Sequence, residues 1–370
     1  MREVMGDLLE WWRAGAAVGM ATVVGTWRSA PRQPGAAMLV GPDGAAIGSV
    51  SGGCVEGAVY DLAEQARDGA DPVRVRYGVS DDDALAVGLT CGGIIDVFVE
   101  RVDRQTFPEL DAVAAAVTTG TPVAVATCVT GRPDQVGRRL VLWPDRRTGS
   151  LGSRRLDDAV TDDARGLLAA GRTGLVHYGP SGERRGDDLA VFVSSHTPPA
   201  RMIVFGAIDF AASVARVGTQ LGYRVTVCDA RPVFATARRF PGIDDVVVQW
   251  PHRYLAAEIE AGRIDERTVV CVLTHDPKFD VPVLELALAH PLAYVGAMGS
   301  RRTHDDRMAR LRAAGVPEDR LVRLSSPIGL DLGARTPEET AISIAAEIIA
   351  TRWGGSGRRL SSTAGRIHHD

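Results

Sequence analysis

Apolar residues recur at helical spacing over residues 4–13, and two runs that follow, MATVVG at 20–25 and AAMLV at 36–40, read as strands. Gly-Pro-Asp-Gly at 41–44 supplies turn chemistry between two short strands, so a hairpin is the simplest expectation there. Further on, Val55, Val59, Leu62 and Ala66 fall on one helical face, and residues 73–77 and 94–100 read as strands. A helix over 107–118, strands over 122–129 and 139–143, a helix over 157–169 and strands near 175 and 191 complete this half. Helix, strand and loop alternate in it without a clean repeat. We read it as an N-terminal α/β domain over residues 1–195.

The stretch SSHTPPAR at 194–201 interrupts the pattern with two prolines and polar residues, and it marks the expected boundary. From residue 200 strands and helices alternate regularly: MIVF, a helix over 209–221, RVTVC, a helix over 231–239, DVVV, a helix over 252–261, TVVCVL, a helix over 280–289, LAYVGAM and a helix over 301–314. Such alternation predicts a Rossmann-like, doubly wound parallel sheet over 200–353. The last helix opens on Thr336, Pro337, Glu338 and Glu339, a capping-box start, and runs to Trp353. The Gly/Ser/Arg-rich tail over 354–370 is expected to be disordered.

Composition sharpens this picture by exclusion. A length of 370 residues exceeds what one core usually organises, and 45% apolar content suffices for two. A net charge of -4 without a basic run argues against nucleic-acid and anionic-membrane binding. The N-terminus lacks the order of a signal peptide and no apolar run nears the ~20 residues of a membrane span, so we expect a cytoplasmic protein. Five cysteines, at 54, 91, 128, 228 and 271, are odd in number and form no C-x-x-C pair, which fits neither a disulfide framework nor a zinc site. Lys278 is the single lysine, so the abundance of arginine says little about any one of them.

Four stretches carry candidate chemistry. In SVSGGCVEG at 49–57, Gly52 and Gly53 permit backbone shapes closed to other residues and place Cys54 at the first turn of a helix, where the dipole favours a thiolate; Glu56 adds a carboxylate. In GLTCGGIIDVFVE, Cys91 precedes Gly92 and Gly93 and then a strand. Cys128, Cys228 and Cys271 lie within apolar strands and read as buried small hydrophobes. The second domain opens with MIVF and then GAIDFA: Gly206 and Ala211 fit a dinucleotide fingerprint, Ile208 replaces its middle glycine, and Asp229 stands 23 residues beyond Gly206, where an acid takes ribose hydroxyls. The fourth strand of that domain ends in Thr274, His275 and Asp276 at the carboxyl edge, with His275 a candidate acid or base. The fifth ends in Gly299 and Ser300 with Arg301 and Arg302 at a helix start, an anion-attracting arrangement.

The motifs GTWRSAPRQPGAAMLV, GSVSGGCVEG, LTCGGIIDVFVE, GAIDFA, THDPKFD, YVGAMGSRR and SSPIGLDLGARTPEETAISIAAEI together resemble the XdhC/CoxI family, accessory factors of xanthine dehydrogenase and related molybdenum hydroxylases. The likeness spans residues 10–350. It implies a cofactor chaperone that does not itself turn over purines: it binds molybdenum cofactor, as molybdopterin in mononucleotide or dinucleotide form, supports its sulfuration and delivers it to an apo-molybdoenzyme of the xanthine dehydrogenase or carbon monoxide dehydrogenase type. A cysteine desulfurase as sulfur source and a homodimeric state complete the expectation. Residue by residue, the resemblance points at the loop from Arg28 through Arg32 to Gly35, at Gly52, Gly53 and Cys54, at Cys91 with its glycines, and at the THD and GSRR turns. Family members commonly carry Gly-Ala-Gly-His where this chain has Gly-Ala-Ile-Asp. The competing expectation is an NAD(P)-dependent oxidoreductase with His275 as acid or base and Asp229 on the ribose.

Overall fold

The computed structural model describes residues 2–27, 32–78 and 93–364. They form two units, Met1–Pro198 and Pro199–Gly365.

The first unit is built twice. Helix α1 (Met5–Arg13) leads into β1 (Val18–Trp27), β2 (Ala37–Val40), β3 (Ala46–Gly48), helix α2 (Glu56–Arg67), β4 (Val73–Tyr77) and β5 (Ile94–Val102). Helix α3 (Leu110–Thr119) then leads into β6 (Val123–Thr130), β7 (Arg139–Leu142), β8 (Arg147–Gly149), helix α4 (Arg154–Ala169), β9 (Gly174–Tyr178) and β10 (Leu189–His196). The two sheets have the same order, β3-β2-β1-β5-β4 and β8-β7-β6-β10-β9, and every pairing in them is antiparallel. The hairpin expected around Gly-Pro-Asp-Gly is the β2–β3 pair. The expectation of no repeat is thus corrected.

Small details repeat with the topology. The β1–β5 ladder skips Val24 and the β10–β6 ladder skips Val129, so both carry a bulge at the same point. Gly48 (φ +86°) and Gly149 (φ +84°) end equivalent strands, and a β-carbon on either would overlap a carbonyl oxygen, that of Ala37 or that of Arg139. Gly48→Ala and Gly149→Ala are therefore each expected to lower stability by about 1–3 kcal/mol, measurable as a fall in the urea midpoint. Near-equal penalties would reflect the shared geometry; a penalty at one site alone would contradict it.

The sheets face one another. Val18, Met20 and Leu39 from one and Val123, Val125 and Val141 from the other share a core with Leu8 of α1 and Leu110 and Val113 of α3. Further along, Val24 and Phe98 meet Val129, Ala190 and Phe192. Helix α2 covers the outer face of the first sheet through Val59, Ala63 and Ala66, and α4 the outer face of the second through Val160, Ala164 and Leu168. With both faces covered, β1 and β6 are nearly unbroken apolar runs rather than alternating ones. Between the sheets lies the buried Glu100–Arg139 ion pair, with the Arg139 guanidinium 4.6 Å from the Phe107 ring centroid.

In the second unit six parallel strands take the order β13-β12-β11-β14-β15-β16. They are β11 (Arg201–Phe205), β12 (Arg224–Asp229), β13 (Asp245–Val248), β14 (Val269–Val272), β15 (Tyr294–Ala297) and β16 (Leu324–Ser325). Helices α5 (Asp209–Gln220), α6 (Pro251–Glu260), α7 (Pro277–Ala289), α8 (Arg301–Ala313), α9 (Glu318–Leu321) and α10 (Pro337–Trp353) connect and cover them. Two cores result, one on each face of the sheet. This is the doubly wound arrangement expected of the alternating pattern. Helix α10 opens on the expected capping box, with Thr336 accepting from Glu339 N–H.

One expected helix is absent. Residues 231–239 form successive turns instead, because Arg231 N–H is taken by the Asp229 carboxylate and Pro241 removes a donor and disfavours helical geometry at Phe240. No helix among the described residues is long and apolar enough to cross a membrane.

Candidate functional site

The loop between β3 and α2 carries the Ser-Gly-Gly-Cys stretch. Gly52 and Gly53 adopt φ of +80° and +119°, which L side chains rarely take, and a β-carbon on either would meet nothing within 4 Å. The glycines therefore serve backbone shape, and the space beside them is open. Cys54 follows, half-buried, its N–H donating to Ser51 Oγ at 3.0 Å, as Val55 N–H does at 3.1 Å.

Beneath the loop sits the Glu56 carboxylate. Its Oε1 accepts from Ser49 Oγ at 2.6 Å and from the N–H groups of Ser51 and Gly52, each at 2.9 Å. Its Oε2 accepts from Ser51 Oγ, from Gly53 N–H at 2.8 Å and from Val55 N–H at 3.2 Å. Burial opposes ionisation, but the Ser49 and Ser51 hydroxyls and the loop N–H groups outweigh it and hold this carboxyl down at about 2. A carboxyl depressed in the folded state stabilises above its unfolded value near 4.5, and the contribution is lost as pH falls through about 2. Amide protection at Gly52 and Gly53 is accordingly expected to hold steady from about pH 7 to 5 and to collapse below about pH 3, as hydrogen exchange would register. Protection that stays constant into that acid range would disprove the carboxylate's part in it.

The second repeat has the same corner with different contents. Ser49, Val50, Val55 and Glu56 correspond to Ser150, Leu151, Leu156 and Asp157, each 101 positions later. Asp157 accepts from Ser150 Oγ at 2.8 Å and from Leu151 N–H at 2.7 Å. Gly52, Gly53 and Cys54 are replaced by Ser153, Arg154 and Arg155, and Ser153 caps α4 by accepting from Leu156 N–H. The serine-carboxylate scaffold is common to both corners, and the glycine-cysteine content belongs to the first.

Other expected residues of this unit are placed as follows. Arg32 donates to Glu3 at 2.6 Å, and Gly35 (φ +94°) turns the chain into β2. Gly93 is buried directly before β5. Arg28, Cys91 and Gly92 lie outside the described residues. Cys128, Cys228 and Cys271 are fully buried, and desolvation pushes their thiols up to about 11, 12 and 12. They are the buried small hydrophobes that their strand positions implied.

At the carboxyl edge of the second unit's sheet, Gly206 (φ +105°) packs against Thr274: a β-carbon there would come within 2.8 Å of Thr274 Cγ2 and 3.0 Å of its nitrogen. The structure thus brings these two expected residues together. Asp229 is buried, and its oxygens accept from Ala207 N–H at 2.8 Å, Arg231 N–H at 2.9 Å and the Arg231 guanidinium at 2.9 and 2.7 Å. Four donors from the chain itself engage both oxygens, so a ribose hydroxyl would have to compete with them. Asp276 caps α7 and pairs with Lys278 at 3.0 Å, while His275 is exposed. Ser300 caps α8, and Arg301 and Arg302 are exposed on its first turn.

Two residues that the pattern did not single out organise this edge. Thr274 Oγ1 donates to buried Asp280, which also accepts from Arg307 Nη2 at 2.9 Å. Arg307, buried as well, further donates to the Met298 carbonyl at 2.8 Å and to Ser326 Oγ at 3.0 Å. The turns after β14, β15 and β16 are thereby tied to one ion pair. No spacing in the sequence announces it. Ser49 and Ser51 were missed too; a signal exists for Ser49, since a serine seven residues before an acid occurs at both corners and emerges once the halves are aligned, whereas the counterpart of Ser51 is Gly152. Among the described residues no group of three or more His, Cys, Asp or Glu is placed to hold a metal ion.

Comparisons with known proteins agree with this architecture. The family described as "XdhC Rossmann domain" matches residues 202–348, and "XdhC and CoxI family" matches residues 11–78 and 116–179. The latter segments start in α1 and α3 and end just after β4 and β9, at equivalent points of the two repeats. The chain is 28% identical over 335 residues to a Bacillus subtilis protein named as a probable xanthine dehydrogenase subunit, covering 90% of this chain and 92% of the relative. It is 26% identical over 352 residues to "Molybdenum cofactor insertion chaperone PaoD" of Escherichia coli, covering 95% and 88%. A crystal structure from Bacillus halodurans, described as a xanthine dehydrogenase, superposes with a TM-score of 0.66 at 26% identity over 97% of both chains. With both halves matched in order, this chain belongs to the XdhC/CoxI family.

Proposed function

We propose that the protein binds molybdenum cofactor, supports its sulfuration and delivers it to an apo-enzyme of the xanthine dehydrogenase or carbon monoxide dehydrogenase type. The observation that carries the reading is the asymmetry of the repeats. Both corners keep the serine-carboxylate scaffold, and only the first adds two open glycines and a thiol where a bulky group can approach. A polarizable sulfur suits the molybdenum and dithiolene end of the cargo. Within the second unit, the α8 start, with Ser300, Arg301 and Arg302, has the donors and charge that a pterin phosphate needs. The names of the E. coli and B. subtilis relatives support the same role. The finer elements, sulfur handling by Cys54 or Cys91, a cysteine desulfurase as donor, and a homodimer in the cytoplasm, belong to the same proposal.

The oxidoreductase reading is less favoured at its ribose contact, since Asp229 is already engaged by the chain itself. Equilibrium binding of the purified protein to isolated molybdenum cofactor, run beside NAD(H), separates the two. Tight cofactor binding without NAD(H) binding is expected; the reverse would overturn the proposal.

A further inference from the structure

Resting on that reading, we infer that Glu56 is a positioning residue for Cys54 and not itself a ligand of the cargo: its side chain clasps the Gly52–Gly53 backbone and so sets where the thiol stands. Two independent observations carry this. First, the carboxylate is saturated. Six donors from residues 49–55 converge on two oxygens, which have about four lone-pair sites between them, so nothing is left for a metal or a cofactor hydroxyl.

Second, the repeats act as an internal control. At the equivalent point of the second repeat stands an aspartate, one methylene shorter, which reaches the serine hydroxyl and one N–H of the approaching loop. Its carboxylate accepts no hydrogen bond from Ser153 or Arg154, the counterparts of Gly52 and Gly53, and there Ser153 caps the helix instead. The longer acid accompanies the glycine pair and the cysteine; the shorter acid accompanies their replacement. Side-chain length at this position is what extends a corner-holding carboxylate into a clasp on the thiol-bearing loop.

The test reads the thiol without any cofactor. In a Cys91→Ser background of the full chain, the rate of Cys54 alkylation by iodoacetamide is followed for the parent, Glu56→Gln, Glu56→Asp and Asp157→Asn, while equilibrium binding of isolated molybdenum cofactor is measured for the same substitutions in the full chain that keeps Cys91. Glu56→Gln exchanges a charged acceptor of the loop N–H groups for a weaker neutral one and loosens the loop, which favours reaction, so alkylation is expected to rise about tenfold. Glu56→Asp keeps the charge but falls short of the Gly52 and Gly53 N–H groups, and it is expected to raise the rate as well, which a role of charge alone would not produce. Asp157→Asn should leave Cys54 unchanged. Ser49→Ala, which removes one of the six donors, gives a smaller rise and replaces Glu56→Gln should that variant not fold.

A Cys54 rate within about twofold of the parent in Glu56→Gln, or in Ser49→Ala as its replacement, overturns the inference. So does weakened cofactor binding with an unchanged thiol rate, which would make Glu56 a direct ligand. Failure of the unsubstituted full chain to bind the cofactor would instead overturn the functional reading, and binding indifferent to Cys54→Ser would remove Cys54 from it, while the alkylation rates still report the clasp.

Discussion

Cys54→Ala is expected to weaken binding of isolated molybdenum cofactor by at least about tenfold, equivalent to about 1.4 kcal/mol, and to lower activation of the client enzyme in parallel. Stability should hardly change, because Cys54 is half-buried and the glycine loop keeps its shape through the Glu56 contacts, none of which uses the thiol. That separation makes the result diagnostic. Alanine at fully buried Cys128, Cys228 or Cys271 should do the opposite, lowering the melting temperature through lost packing with little direct effect on cofactor affinity. Cys54→Ser discriminates further, since it keeps size and replaces a polarizable sulfur with a hard oxygen. Unchanged affinity in both Cys54 variants would remove the thiol from the binding reading.

Arg307→Ala is expected to destabilise the second unit by about 3–5 kcal/mol, because it leaves the Asp280 carboxylate charged and unpaired inside the protein. The loss would not stay local. The same guanidinium holds the Met298 carbonyl and Ser326 Oγ, and Asp280 in turn holds Thr274, so three turns at the carboxyl edge loosen together. Hydrogen exchange of β14 and β15 amides would measure the effect, since two units need not unfold in one transition. The double replacement Asp280→Leu with Arg307→Met removes both charges and should cost clearly less than Arg307→Ala alone. Equal costs would mean that packing volume, and not the uncompensated charge, dominates.

Much of this architecture is legible along the chain because it depends on neighbours. Strands such as 201–205 and 269–272 announce themselves as short apolar runs, and Thr336, Pro337 and Glu339 carry a helix start within four residues. The turn at Gly-Pro-Asp-Gly and the boundary near 198 are local as well. Cys54 and its glycines stand out for the same reason, being adjacent positions, although the expected place of the thiol on the first helical turn is corrected: α2 starts at Glu56 with Val55 as its N-cap, and Cys54 stands in the loop before it.

What only the tertiary structure decided are relations between residues far apart. The duplication of the first unit rests on sheet order, matched bulges at Val24 and Val129 and matched glycines at 48 and 149, because buried apolar positions accept many side chains provided volume and pattern are kept. Asp280 and Arg307, 27 positions apart, meet because adjacent parallel strands bring their following helices side by side. Asp229 stands where a ribose ligand was expected, yet its oxygens already accept from Ala207 and Arg231, an engagement that distance along the chain cannot reveal. Local periodicity specifies elements, whereas hydrogen-bond capacity is allotted only when packed elements bring donors to an acceptor. Glu56 shows both: an ordinary first-turn acid in the sequence, and in the fold the point on which the cysteine loop closes.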